Sequence, residues 1–251
     1  MKYGLYICAA AEAGDPRHMA ELAAAAEDVG WDAIFLEDYI VYQGQRAIPT
    51  YDPWVTLAAM AVATRRVRLG TSVTPISRRR PWKLASEATT LAERLDEGLE
   101  IISRLWSGSP VSQEGTHFNV RDLQLCPRPV QQPRIPIWIG GDWLHPTVRR
   151  RLVRWDGCCV YKGPQSVEAP WQELTVADAA EIRAAVVVAR GHVDDFEVCF
   201  GGRERGDDWE QERAHLATLQ AAGVSWWNEW VKPGDRERVD ASVKRGPLRV
   251  A

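Results

Sequence analysis

Net positive charge, long apolar runs and paired cysteines are all missing from this chain. Its 31 basic residues are outnumbered by 34 acidic ones, for a formal net charge of −3. No overall positive field therefore draws it to nucleic acid or to an anionic membrane surface. No stretch approaches the roughly 20 consecutive apolar residues of a membrane span. The five cysteines (Cys8, Cys126, Cys158, Cys159, Cys199) are an odd set without a C-x-x-C spacing, and most sit in apolar runs where cysteine behaves as a small hydrophobe. They read as reduced thiols of a cytoplasmic protein. No His/Cys/Glu spacing resembles a metal site, and there is no serine-nucleophile motif. Lys2 followed by Leu5-Tyr6-Ile7-Cys8-Ala9-Ala10-Ala11 imitates a short leader peptide, but the run is brief, is preceded by Gly4 and leads into a well-formed helix start. These exclusions leave a small-molecule ligand, with neither nucleic acid nor membrane as partner.

What is present is a globular composition, 45% hydrophobic and 26% charged over 251 residues, long enough for one large core and read as a single domain over 1–251. Short β-rich runs alternate with helical patterns, the grammar of βαβ units and a parallel sheet. The first strand is predicted at about Tyr3–Cys8. Asp15-Pro16, an N-cap followed by proline at the first helical position, opens a helix to Gly30. Strand two is Ala33-Ile34-Phe35-Leu36, Asp52-Pro53 opens a second helix, and strand three covers about Val67–Val73. After Arg78-Arg79-Arg80-Pro81-Trp82-Lys83-Leu84-Ala85, apolar positions from Leu84 to Leu105 step by three or four, so one long amphipathic helix is expected where the alternation next calls for a strand. A hairpin turning near Gly115 and a proline-punctuated stretch then form an excursion at about 108–136. The rhythm resumes with strands at Ile137–Ile139, Cys158–Tyr161, Phe196–Phe200 and Val224–Trp227, separated by helices at Pro146–Arg154, Val176–Ala189 and Trp209–Ala222. The expected fold is an α/β, TIM-barrel-like (β/α) barrel truncated to about seven parallel strands, against the eight of the closed form.

In such barrels the working residues lie at the C-terminal ends of the strands. Gly140-Gly141-Asp142-Trp143 leaves a strand just before Pro146 begins a helix, where glycine allows close backbone approach and exposed N–H groups favour an anion; a plain tight turn is the competing reading. Glu37-Asp38-Tyr39 offers two carboxylates and a phenol for proton transfer if burial raises a carboxylate pKa, with helix capping or surface exposure as the competing reading. Gly201-Gly202-Arg203 adds backbone access with a guanidinium, though a solvated charged loop competes with that reading. The tracts Arg78-Arg79-Arg80 and Arg149-Arg150-Arg151 read as solvated helix faces in an acidic chain. Trp54, Trp106, Trp138 and Trp155 fall on apolar periodic faces and are expected in the core, whereas Trp143, Trp226 and Trp227 near strand ends could line an aromatic pocket.

Eight segments together resemble the luciferase-like, flavin- or deazaflavin-dependent oxidoreductases. They are Gly30-Trp31-Asp32-Ala33-Ile34-Phe35-Leu36-Glu37-Asp38, Leu69-Gly70-Thr71-Ser72-Val73-Thr74-Pro75, Arg79-Arg80-Pro81-Trp82-Lys83-Leu84-Ala85, Leu95-Asp96-Glu97-Gly98-Leu99, Leu105-Trp106-Ser107-Gly108, Pro127-Arg128-Pro129-Val130-Gln131, Ile135-Pro136-Ile137-Trp138-Ile139-Gly140-Gly141 and Arg154-Trp155-Asp156-Gly157. The resemblance implies FMN or the deazaflavin F420 lying across the strand ends, held by Thr71, Ser72, Val73, Gly140, Gly141, Asp142, Trp143 and Tyr161. It also implies a non-proline cis peptide at Ser72–Val73, proton transfer by Asp38 and Tyr39, an unidentified small organic substrate, and no metal. Two departures stand out. The family places a further strand and glycine-rich turn where the helices here fuse around Leu91-Ala92-Glu93, and many members carry histidine where this chain has Tyr39. The unpaired edge so created favours a homodimer. The rival reading is a non-catalytic flavin-binding or scaffold protein of the same descent, and a third is a barrel enzyme without flavin.

Overall fold

The computed structural model describes residues 1–73, 91–124, 133–163 and 172–250. They fall into two compact units, Met1–Thr74 with Trp138–Ala251, and Pro75–Ile137. The arginine tract at 78–80, the first part of the long helix, Cys126 and the prolines at 127 and 129 lie outside the described residues.

The first unit holds β1 (Lys2–Cys8), α1 (Pro16–Asp28), β2 (Ala33–Glu37), α2 (Pro53–Ala63) and β3 (Arg68–Thr71). The second unit holds α3 (Leu91–Leu105), β4 (Val111–Glu114) and β5 (Asn119–Leu123). The chain then returns to the first unit with β6 (Trp138–Asp142), α4 (Pro146–Leu152), β7 (Gly157–Tyr161), α5 (Val176–Arg190), β8 (Glu197–Arg203), α6 (Trp209–Ala221), β9 (Trp226–Val231) and α7 (Arg236–Lys244). The predicted caps act as expected. Asp15 accepts the N–H groups of Arg17 and His18, and Asp52 those of Trp54 and Val55, each with proline at the first helical position. Thr175 and Asp178 form a reciprocal capping box on α5.

Seven parallel strands make one sheet in the order β3-β2-β1-β9-β8-β7-β6. Four strands separate β2 from β6, which in a flat sheet would put them about 24 Å apart at the usual spacing of about 4.8 Å. Instead the Phe35 and Trp138 rings stand 6.0 Å apart, so the sheet curls on itself into an open barrel. At the two edges, the Val73 side chain of the β3 end lies 2.8 Å from where a Cβ on Gly140 of β6 would stand. Among the described residues β3 and β6 share no ladder pairing, which is the seam expected where a strand is missing.

Strand alternation sends Gly4, Tyr6, Phe35, Ser72, Trp138, Cys159, Cys199, Trp226 and Asn228 inward, where they meet one another across the barrel. Lys2 and Arg68 stand over the Trp226 ring at the N-terminal end, with Lys2 paired to Glu197 at 3.2 Å. The outward faces bury Leu5, Ile7, Ile34, Leu36, Cys158, Val198 and Phe200.

Several boundaries differ from expectation. β9 extends to Val231, so Trp226 and Trp227 sit at its start, far from the strand-end mouth: Trp226 is an interior plug, and Trp227 packs under Arg203 and His215. The polar pair Asn228-Glu229 reads as a strand end, yet both side chains are buried and partnered inside the fold. Trp54 is 41% exposed, because α2 is apolar nearly all round and periodicity cannot choose its face; Thr56, Leu57 and Met60 turn inward instead. α7 escaped the sequence reading, since Val239 and Val243 are the only large apolar residues in a charged stretch; both are buried. In the second unit the hairpin forms as expected, antiparallel between β4 and β5. Glu97 of α3 accepts the N–H groups of Thr116, His117 and Phe118 at 3.0, 3.0 and 3.2 Å, tying helix to turn.

Candidate active site

The C-terminal ends of β1, β2, β3, β7 and β9 bring titratable and hydroxyl groups together. Deepest is a chain of polar side chains: Ser72 Oγ donates to Tyr6 Oη at 2.8 Å, and Tyr6 Oη lies 2.6 Å from Cys159 Sγ. Above it, Glu37 ends β2 opposite Cys8 of β1. Its Oε2 accepts the Trp230 indole N–H at 3.4 Å. Burial pushes the Glu37 carboxyl above the ordinary glutamate range, and the single indole bond offsets this only in part. Burial and the Glu37 charge also raise the nearby phenols, Tyr42 to about 12. Tyr39 and Tyr42 meet edge to face, 5.4 Å between ring centres, and pack with Cys8 and Ala10.

Of the residues picked from the sequence, Asp38 lies half-buried just beyond β2. Alternation explains why Glu37 is the inward carboxylate: it shares the face of Phe35, while Asp38 falls on the other. That two-residue period was the signal that could have singled out Glu37, and it equally marks Tyr6, Cys159 and Trp230, which sequence reasoning passed over. Thr71 and Ser72 end β3, with Ser72 donating its N–H to Leu36 O at 2.9 Å. The Ser72–Val73 peptide is cis, as expected. Tyr161 is exposed at the end of β7, in register with Asp142.

Gly140, Gly141 and Asp142 belong to β6 itself and do not form a turn after it. Val73 and Val148 fill the space where Cβ atoms on the two glycines would stand, each at 2.8 Å. Asp142 caps the turn by accepting the Leu144 N–H at 2.9 Å. Trp143 is 1% exposed beneath the Arg149 guanidinium, 4.2 Å from its ring centre, and so packs the β6–α4 turn. At the β8 end, Gly202 has φ +93° with nothing within 4 Å of a Cβ position, an open backbone shelf. Two described cations near this mouth have carboxylate partners: Lys162 meets Asp178 at 2.7 Å, and Arg203 meets Glu212 at 2.7 Å and Glu173 at 3.0 Å. Arg203 is thus held in place by acids, and the anion-binding role considered for it has no free guanidinium behind it. Among the described residues no group of three or more His, Cys, Asp or Glu could hold a metal ion, and no helix is long and apolar enough to cross a membrane.

Against known proteins, the family model for luciferase-like monooxygenases matches residues 1–94 and 92–185. The two matches meet where the sequence pattern lacks its strand. An F420-dependent glucose-6-phosphate dehydrogenase of Microbacterium testaceum is 31% identical over 171 residues, covering 53% of this chain and 49% of the relative. A second, from Nakamurella multipartita, is 31% identical over the same shares. The chain spans about half the length of the curated relatives it matches. In fold it is similar to an F420-dependent secondary alcohol dehydrogenase solved with an F420–acetone adduct, at TM-score 0.72 and 14% identity over 98% of each chain. It is also similar to the FMN-bound oxygenating constituent of 3,6-diketocamphane monooxygenase from Pseudomonas putida, at TM-score 0.55 and 14% identity over 85% of this chain and 70% of that one. With more than half of its residues under one family model, and a curled sheet of parallel strands to match, the chain belongs to the luciferase-like monooxygenase family.

Proposed function

We propose that this chain is a two-electron oxidoreductase that works with a deazaflavin of the F420 type on a small organic substrate, with Glu37 as the group that holds and moves the proton. The observation that carries this reading is the partly buried Glu37 carboxyl at the strand-end mouth, raised by desolvation and with one oxygen occupied by the Trp230 N–H. Oε1 is the oxygen left to carry a proton toward a substrate. Reduced FMN is the second reading, favoured by the FMN-bound structure of similar fold.

The residues present suit the ring of either cofactor. Ser72, Tyr6 and the partly exposed Cys159 make a polar floor, Glu37, Tyr39 and Tyr42 a wall, and Gly202 an open backbone shelf. Lys162 and Arg203 are paired to acids, so among these groups an anionic tail at this end meets backbone N–H donors, with Thr71, Val73, Gly140, Gly141, Asp142 and Tyr161 as neighbours. When bound, such a cofactor supplies the centre that gives or accepts a hydride. The protein's own part is to seat the ring, keep water from it and manage the proton at Glu37.

We place the protein in the cytoplasm as a homodimer. Trp54, Val55 and Val62 on the outer face of α2 support the dimer, Val62 being 91% exposed. The test is titration of the purified chain with F420 and, separately, FMN, followed by their fluorescence, then turnover with a panel of small alcohols and ketones. Saturable binding is expected, with kcat lowered about 100-fold or more by Glu37→Gln and little by Asp38→Asn. Failure to bind either cofactor sinks the reading, and a larger loss from Asp38→Asn moves the proton off Glu37.

A further inference from the structure

Two inward thiols lie opposite each other in the barrel wall, beneath the proton-handling groups. Cys159 of β7 and Cys199 of β8 are direct register partners, so their side chains leave the sheet on the same face. Adjacent parallel strands run about 4.8 Å apart, inside the Cα separation of about 4.4–6.8 Å that a disulfide spans. The other described cysteines have no such partner. Cys8 faces Glu37 in register, and Cys158 faces Val198 on the outer side of the sheet.

We propose that Cys159 and Cys199 are a redox dithiol that hydrogen peroxide closes to a disulfide within the barrel wall. The surrounding bonds assign a role to each sulfur. Ser72 Oγ donates into Tyr6 Oη, so the single phenolic hydrogen of Tyr6 is left to point at Cys159 Sγ, 2.6 Å away. Burial pushes the Tyr6 phenol up, which keeps that hydrogen in place. The Cys199 side chain beside it, with the hydrogen bond from Tyr6, outweighs burial and lowers the Cys159 thiol. Cys159 is partly exposed, whereas Cys199 is fully buried and anchored by the Asn228 amide at 3.0 Å. Cys159 is the attacking sulfur and Cys199 the resolving one.

In the first step the Cys159 thiolate attacks a peroxide oxygen; an S–O bond forms, the O–O bond breaks, and hydroxide leaves and takes up the thiol's proton as water. In the second, Cys199 gives up its proton and attacks the Cys159 sulfur. An S–S bond forms, the S–O bond breaks, and a second water departs. Two thiols and one peroxide become a disulfide and two waters, with two electrons passing from sulfur to oxygen. The inference rests on thiol geometry and not on the identity of any cofactor.

The experiment treats the reduced full chain with one equivalent of hydrogen peroxide and follows intact mass, thiol alkylation and the peptide map. Expected are loss of two hydrogens, protection of two cysteines, a Cys159–Cys199 linked peptide, and reversal by dithiothreitol. Cys199→Ser is expected to stop at a sulfenic acid on Cys159 that dimedone traps, and Cys159→Ser to give no product on Cys199. Tyr6→Phe, which removes the hydrogen bond that favours the thiolate, is expected to slow closure about tenfold, one pKa unit of thiolate. An unchanged mass, a link through Cys8, Cys126 or Cys158, or over-oxidation of Cys159 without a link in the parent chain each overturns the proposal.

Discussion

Replacing Glu229 by glutamine should unfold this protein more readily than any surface change, because it unbalances a buried charge cluster. Glu229 and Arg205 each have side chains 3% exposed. Arg205 Nε and Nη2 reach Glu229 Oε2 at 3.0 and 2.8 Å, Nη2 also donates to Gly246 O at 2.7 Å, and Arg245 binds the other oxygen, Oε1. The cluster joins β9 to the loop after β8 and to the end of α7. At 2.8 Å and an effective dielectric of about 20, one such pair attracts by about 6 kcal/mol before desolvation is subtracted. Removing one partner of a buried pair costs about 3–5 kcal/mol, since the other charge stays buried and unpaired. Against a total stability of about 5–15 kcal/mol, Glu229→Gln should shift the urea midpoint of a far-UV circular dichroism melt by a large part of its range. The double variant Arg205→Met/Glu229→Leu, which removes both charges, should recover much of the loss. A Glu229→Gln variant within about 1 kcal/mol of the parent would refute the reasoning, because that is the range of an exposed ion pair.

Two further outcomes follow from close approaches and burial. Gly140→Ala puts a methyl 2.8 Å from Val73 Cγ1 and should cost about 1–3 kcal/mol by overpacking, with most of it returned in Gly140→Ala/Val73→Ala; urea titration of the three variants checks the coupling. Glu37 has a carboxyl raised by burial, so the native state holds a proton that the unfolded chain releases. Its contribution is present at pH values below the ordinary glutamate range and fades as pH climbs through the raised value; Glu37→Gln should flatten that slope in urea midpoints measured between about pH 4 and 8.

The parallel sheet was legible because its strands are separated by capped helices: Asp15-Pro16 and Asp52-Pro53 mark starts that the structure keeps. Strand lengths were less legible, and for one reason in three places. Glycine pairs and buried polar residues look like strand ends, yet Gly140-Gly141, Gly201-Gly202 and Asn228-Glu229 all lie within strands. Their partners lie outside the strand that holds them: the Val148 side chain at Gly141, the Asn228 backbone against a Cβ position on Gly201, and Arg205 on Glu229. Local pattern holds no trace of such neighbours. At the candidate site, the tripeptide Glu37-Asp38-Tyr39 was found, but which acid faces inward depended on strand phase carried from Phe35. The Tyr6–Cys159 contact joins residues 153 positions apart and was beyond any short-range signal.

The strand order decides where the sheet is held by hydrogen bonds and where it is not. The first and last strands in sequence, β1 and β9, are neighbours at the centre of the sheet, while the two margins flank the middle of the polypeptide. The N-terminal and C-terminal strands are therefore locked into the middle of the hydrogen-bonded ladder, Lys2–Ile7 against Trp226–Val231. Opening of the barrel should accordingly begin at the seam, where side-chain packing such as Val73 against Gly140 stands in for a ladder among the described residues.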